Sequence, residues 1–245
     1  MKIIKPSVEI LRPHMTPEAV DAIYKNIELA GRTCYKSEDK ITAESARKFV
    51  KGLVKRNHEA MIEHASMTVR FIVDRGVSHE LVRHRIASFA QESSRYCNYT
   101  HEKFGNDITI IDPIFYKDIS DKRKKLIQDM ITEKFKRPNE LVNTLSDLEK
   151  RYADWFYSCY VASESYLEMI RFGATPEEAR GILPTSVKTE VVMTMNMREM
   201  RHFLNLRAAG TTGKPHPQMV EVALPLLRQC QVLMPELFGD IEVIE

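Results

Sequence analysis

No glycine-rich nucleotide loop occurs in this 245-residue chain, whose nine glycines form neither G-x-G-x-x-G nor the P-loop spacing. A Rossmann or Walker site is therefore unsupported, and any nucleotide must be held by side chains. The four cysteines (Cys34, Cys97, Cys159, Cys230) are scattered, with no C-x-x-C pair. That disfavours a thiolate zinc site or a disulfide scaffold and fits a reducing cytoplasm. H-E-x-x-H and G-x-S-x-G are also missing, so there is no metallohydrolase or serine-hydrolase signature. No apolar run approaches the length that spans a bilayer, and MKIIKPSVEI lacks the uninterrupted apolar core of a signal peptide. A formal net charge of +2 gives no excess of one sign with which to coat nucleic acid or a membrane surface. No repeat, low-complexity segment or linker divides the chain, and a single domain over 1–245 is expected.

The patterns that are present alternate between helix and strand. Ile3, Ile4, Val8 and Ile10 around Pro6 read as one short edge strand. Thr16-Pro17-Glu18 opens a helix whose stripe Val20, Ile23, Tyr24, Ile27 is expected to stop near Gly31. Ala46, Phe49, Val50, Leu53 and Val54 mark a second helix over 43–56, and Cys34, between the two, is expected to be a small buried side chain. Met67, Val69, Phe71 and Val73 alternate with Ser66, Thr68, Arg70 and Ile72 as in a strand. Asp74-Arg75-Gly76 then turns the chain, and Ser78 caps a short helix ending at Arg83-His84-Arg85, with the Ser/Gln/Glu-rich continuation read as irregular or partly helical.

Ile108, Ile110 and Ile111 indicate another strand. Lys122-Arg123-Lys124-Lys125 reads as the solvated first turn of an amphipathic helix reaching Phe135. A long helix from Asn139 carries Leu141, Leu145, Leu148, Tyr152, Trp155 and Cys159, ends at Gly173, and directs its aromatics to core or subunit contacts. Thr175-Pro176-Glu177-Glu178 is a capping box opening a short helix that holds Arg180. Residues 186–197 alternate as a strand with one apolar face, after which Asn196 caps a helix and Glu199 completes a capping box. That helix carries Arg198, Arg201, His202, Asn205 and Arg207, and a last helix follows His216-Pro217.

The stretch from Arg83 to Tyr96 is the part that folding alone does not require. Fixed guanidiniums beside hydroxyls suit a phosphate or another anionic, planar ligand. The later helix offers a second such region, since Arg198 and His202 are four apart and share one face. Three other readings stand beside this one. His58, Glu59, Glu63, His64, His79 and His84 fall in a short span, although His58 and His64 are six apart, which is wrong for two ligands on one helical face. A cysteine or serine nucleophile would need a catalytic context that is not evident. An Arg-His-Arg face could also serve a nucleotide- or RNA-binding module without catalysis.

Together these segments resemble the flavin-dependent thymidylate synthase family. Its signature of R-H-R followed after seven residues by S is met by Arg83-His84-Arg85 and Ser93, with Ser88, Arg95 and Tyr96 extending it. Further matches run in the family's order: Arg32-Thr33-Cys34-Tyr35-Lys36-Ser37, His58-Glu59 with Glu63-His64, Ala179-Arg180 before Leu183-Pro184, Asn196-x-Arg198, and Phe203-Leu204-Asn205-Leu206-Arg207. The resemblance implies an α+β subunit with a mixed or antiparallel sheet flanked by helices, assembled as a homotetramer with active sites where subunits meet. It implies tightly bound FAD at His58, Arg83, His84, Arg85, Asn196, Arg198 and His202, and dUMP at Gln91, Ser93, Arg95, Arg180 and Arg207, with Arg207 catalytic and no metal. The implied reaction moves a one-carbon unit from 5,10-methylenetetrahydrofolate to C5 of dUMP. NADPH reduces the flavin, no enzyme nucleophile attacks the uracil, and neither nucleic acid nor membrane is a partner.

The chain departs from the family pattern at a few places. Ala90 stands where many members have Asn, Gln91 replaces a common Glu, Glu80 lies where a glutamine touching dUMP is often found, and His202 replaces an asparagine seen in some members. Residues 101–150 and the segment Ala208–Pro215 are longer than usual.

Overall fold

Pro6 divides the first expected strand in two. Lacking an N–H, it interrupts the ladder, so β1 (Lys2–Ile4) and β2 (Ser7–Arg12) enter different sheets. The computed structural model describes residues 1–134 and 144–243, and Phe135, Asn139 and Leu141 of the expected helical stripes lie outside the described residues. The chain forms two compact units. The larger comprises Pro6–Val73, Val77–Gln91 and Glu190–Glu245; the smaller comprises Met1–Lys5, Asp74–Gly76 and Glu92–Thr189.

The larger unit is built on a four-stranded sheet, with β3 (Ser66–Asp74), β4 (Ala87–Gln91) and β6 (Lys188–Asn196) in the order β2-β3-β6-β4. β2 is antiparallel to β3, pairing Ser7 with Ile72, and β4 is antiparallel to β6, pairing Ala87 with Met195 and Gln91 with Val191. The expected alternation is realised: Met67, Val69, Phe71 and Val73 are buried on β3, and Val191, Met193 and Met195 on β6. These pack with Val20, Ile23, Tyr24 and Ile27 of α1 (Pro17–Tyr35) and Val50 and Leu53 of α2 (Ser45–Lys55).

β4 corrects the expectation of an irregular Ser/Gln/Glu-rich segment. It is an edge strand held by backbone pairing to β6, with only Ala87 and Phe89 packed on the core, too few apolar positions for an alternation to announce it. Two helix bounds also differ. α1 runs past Gly31 because that glycine is no stop: a Cβ there would clash with the Phe49 ring, so it lets α1 and α2 approach closely. The helix ends instead at Lys36, in the left-handed region at φ 47°. Cys34, near that end, is exposed rather than buried. α3 (Arg75–Leu81) begins directly off β3, so Ser78 lies inside it, buried, and its Oγ accepts from Gln91 Nε2 at 3.0 Å.

In the smaller unit β1 runs parallel to β5 (Thr109–Ile111). α4 (Asp121–Lys134), α5 (Asp147–Arg171) and α6 (Pro176–Ala179) complete it. Ser146 and Glu149 form a capping box at the start of α5, as Thr175 and Glu178 do for α6. Of the expected stripe, Tyr152 and Cys159 of α5 are buried and Trp155 is half-buried, while Phe156, next to it, is buried as well. The Lys122–Lys125 run is only partly solvated. Lys124 shares the inward face with Ile127 and Ile131, and its Nζ lies 3.0 and 2.9 Å from the two oxygens of buried Asp112. Asp112 also accepts from Lys5 Nζ at 2.6 Å. Among the described residues no helix is long and apolar enough to cross a membrane.

Candidate active site

The site begins where β6 ends. Asn196 Oδ1 accepts from Glu199 N at 2.8 Å and starts α7 (Met197–Leu204), as expected of an N-cap. The other half of the expected capping box does not form. Glu199 turns inward, and its Oε1 lies 3.1 Å from Nδ1 of buried His84. After Leu204 the helix widens into a π-helical turn, Asn205–Ala209, closed by Gly210 at φ 76°. This extra width changes the direction in which Arg207 projects relative to a continued α-helix.

Arg207 is held at every nitrogen. Its Nε donates to His84 Nε2 at 3.1 Å, Nη1 to Glu80 Oε2 at 2.8 Å, and Nη2 to the Glu80 carbonyl at 3.4 Å. One N–H remains on each terminal nitrogen for a ligand, and the side chain keeps 23% of its surface exposed. The result is a four-residue chain, Glu80–Arg207–His84–Glu199, joining α3, the end of α7 and the segment between α3 and β4. The His84 ring is wedged edge-on against Phe203, with centroids 5.0 Å apart.

Burial, then the Arg207 charge, then His202, push the His84 pKa down to about 4 from an ordinary 6.5. The Glu199 carboxyl is pushed up by burial, with His202 opposing. Because the folded pKa of His84 is depressed, the unfolded chain takes up a proton that the native state refuses as pH falls below 6.5. Stability is thus lost on acidification from about 6.5 toward 4, by on the order of 2 kcal/mol from this group. Denaturant titrations of the wild type and His84→Asn at pH 7 and pH 5 check this: the stability difference between them should shrink at pH 5. A difference independent of pH would refute it.

The other residues singled out in the sequence fall as follows. Asn196, Arg198, Glu199 and His202 line one cavity of about 390 Å³ with Glu59, Glu63 and Ile86. Arg198 donates to Glu63 at 2.6 Å and pairs with Glu59 at 3.3 Å. Arg83 and Arg85 are exposed, and among the described residues their guanidiniums have no partner. His58 is exposed, with Nδ1 2.7 Å from the Tyr35 hydroxyl, and lines a second cavity with Arg32, Lys40, Phe49 and Arg56. Among the described residues no acidic side chain lines that cavity. In the smaller unit, Ser93 Oγ accepts from Arg95 N, and Arg95 Nε donates to Glu177 at 3.0 Å. Arg180, three residues beyond Glu177, is exposed and without a side-chain partner among the described residues.

Sequence reasoning missed Glu80 and Glu199 as members of the site. Glu80 stood out only as replacing a glutamine that often touches dUMP in the family, and Glu199 was masked by its capping spacing. Glu92, inside the signature stretch, is structural: it accepts from Tyr99 at 3.1 Å and from Lys188 at 2.8 Å. The histidines and acids weighed as metal ligands do not converge, since Glu59 and Glu63 serve Arg198 and His58 serves Tyr35. Among the described residues only His84, Glu199 and His202 bring ligand atoms within 4.8 Å of one another. There both ring nitrogens of His84 are engaged, by Arg207 and by Glu199, so His84 itself offers no open imidazole lone pair.

An α+β subunit with a partly buried cluster of ion-paired side chains beside a cleft, free of thiol and hydroxyl groups, has the build of an enzyme's active site. A family model described as thymidylate synthase complementing protein matches residues 18–236. The chain belongs to that family, the flavin-dependent thymidylate synthases. The flavin-dependent thymidylate synthase of Corynebacterium efficiens is 30% identical over 220 residues, covering 89% of this chain and 79% of that protein. That of Corynebacterium glutamicum is 29% identical, covering 98% and 91%, and that of Geobacter sulfurreducens 26%, covering 95% and 85%. The fold is shared with the UMP/dUMP methylase PolB from Streptomyces cacaoi, solved with 5-Br UMP, at a TM-score of 0.68 and 22% identity over 98% of this chain and 95% of that one.

Proposed function

We propose that this enzyme converts dUMP to dTMP, with 5,10-methylenetetrahydrofolate as one-carbon donor, FAD bound at the site and NADPH as reductant. The whole chain acts as one domain within a cytoplasmic homotetramer. The observation that carries the reading is the Arg207 guanidinium, clamped by His84 and Glu80 with one N–H left on each terminal nitrogen.

The residues present fit a large anionic cofactor. Arg83 and Arg85 have uncompensated guanidiniums, and the acid-free cleft beside His58 adds Lys40 and Arg56. His58, Arg83, His84, Arg85, Asn196, Arg198 and His202 would hold the flavin, which when bound supplies the hydride chemistry. Gln91 and Arg207 are assigned to the dUMP base and Ser93, Arg95 and Arg180 to its phosphate, where charge-assisted bonds fix the nucleotide's register. Arg207 then opposes negative charge developing on the pyrimidine as hydride arrives at C6.

The Glu80–Arg207–His84–Glu199 chain contains no thiol or hydroxyl, which supports a mechanism without an enzyme nucleophile. Cys159 and Cys230, both buried, have thiols pushed up to about 11 and about 12 by that burial, so they stay protonated. The purified protein should be yellow, with a flavin spectrum bleached by NADPH, and should form dTMP and tetrahydrofolate from dUMP in the presence of chelator. A colourless protein that fails to take up FAD would leave only a nucleotide-binding module.

A further inference from the structure

Two carboxylates of the central cluster have no part in the ligand assignments above. Glu80 has a visible task, because it grips the terminal nitrogens of Arg207. Glu199 does not touch Arg207, yet it is buried and spends its Oε1 on His84. The chemistry of the three groups fixes which way the protons lie. A guanidinium can only donate, so His84 Nε2, facing Arg207 Nε, must be the bare nitrogen of a neutral ring. The ring proton then sits on Nδ1 and points at Glu199 Oε1, which can only accept when ionised.

We propose that Glu199 is a positioning residue that acts through His84: it fixes the Nδ1–H tautomer, and thereby keeps Nε2 available to aim the Arg207 guanidinium. This rests on the reading of Arg207 as the group that faces the nucleotide. The opposite tautomer would set Nε2–H against Arg207 Nε–H, two donors at 3.1 Å, and the guanidinium would swing away from that end. Glu80 alone would then hold it, through the two terminal nitrogens whose remaining N–H bonds are to meet a ligand. Glu199 is itself locked, since its backbone N–H is bound by Asn196 at the start of α7. Phe203, one turn further along the same helix, supports the ring edge-on. The geometry therefore runs from a helix cap through a carboxylate and an imidazole to a guanidinium, each member able to act in one sense only.

Glutamine at 199 preserves shape and removes the constraint, because its amide can donate to Nδ1 as well as accept from it. The experiment is ring-nitrogen NMR on the full-length, flavin-loaded protein with ¹⁵N-labelled histidine, beside steady-state kinetics. In the wild type, His84 should show a protonated Nδ1 and a bare Nε2 between pH 5.5 and 8. Glu199→Gln should give a mixture of tautomers and a kcat lower by roughly 10- to 100-fold, with flavin content and KM for dUMP within about twofold. A wild-type proton on Nε2 would overturn the proposal, and so would a Glu199→Gln enzyme with undiminished kcat. Should that variant not accumulate as folded protein, the wild-type ring spectrum decides alone. Failure of the wild type to make dTMP would sink the assigned reaction and leave the tautomer measurement readable.

Discussion

Arg207→Ala forms dTMP about 100- to 1000-fold more slowly than the wild type while keeping its flavin, the size of loss seen when one donor to a developing anion is deleted. The separation of the two effects follows from where Arg207 sits. It contributes nothing to the apolar core, and its partners are His84 and Glu80 rather than the exposed Arg83 and Arg85 or the residues lining the cavity at Asn196. Lysine should not restore the rate. An ammonium is a point charge and cannot hold His84 Nε2 and the Glu80 carboxylate at once while presenting two further donors. Single-turnover kinetics with the flavin absorbance recorded in the same samples provide the check. A loss of flavin as large as the loss of rate would show that Arg207 holds the cofactor instead.

The largest effect on stability is expected in the smaller unit, at Asp112. Lys124 and Asp112 are both buried, with side-chain exposures of 6% and 8%. Asp112→Ala leaves the Lys124 ammonium buried without its counter-ion, a change of about 3–5 kcal/mol. Lys5, the other partner of Asp112, is well exposed and keeps its access to water. In thermal denaturation the midpoint should fall by roughly 10 °C, taking about 2–4 °C per kcal/mol for a chain of this size. The double variant Asp112→Leu with Lys124→Met should recover most of the loss, since an apolar pair of similar volume carries no desolvation cost. A midpoint unchanged in the single variant would show that the pair is hydrated and of little weight.

The sequence carried the sheet's two central strands openly, because Met67 to Val73 and Val191 to Met195 alternate with period two on a half-buried surface. It carried the starts of α1, α6 and α7 as well, through Thr16, Thr175 and Asn196, whose side chains each accept a backbone N–H of the first turn. Other features were hidden for identifiable reasons. Gly31 has the residue type of a helix stop, but its role depends on Phe49 of the next helix. β4 draws its stability from backbone pairing to β6, which local pattern does not encode. Lys124 looked like one more solvated charge, because its partner Asp112 belongs to the segment before the helix. At the site, the residues proposed to face the ligands were named by resemblance to a family. The residues that orient them were not, since Glu199 obeys a capping rule in sequence and breaks it in space.

The register of β4 against β6 has a consequence for length. Arg83, His84 and Arg85 precede the strand and Gln91 ends it, so the five residues Ala87–Gln91 act as a spacer between the cluster at His84 and the amide of Gln91. At about 3.3 Å per residue the spacer measures roughly 16 Å, and its backbone pairing to β6 from Ala87↔Met195 to Gln91↔Val191 prevents it from slipping. A point change along it alters one contact. An inserted or deleted residue would change the gauge itself and turn Gln91 to the opposite face, because strand parity is two. The interval between the two groups is therefore a property of residue count, which drift by substitution leaves intact.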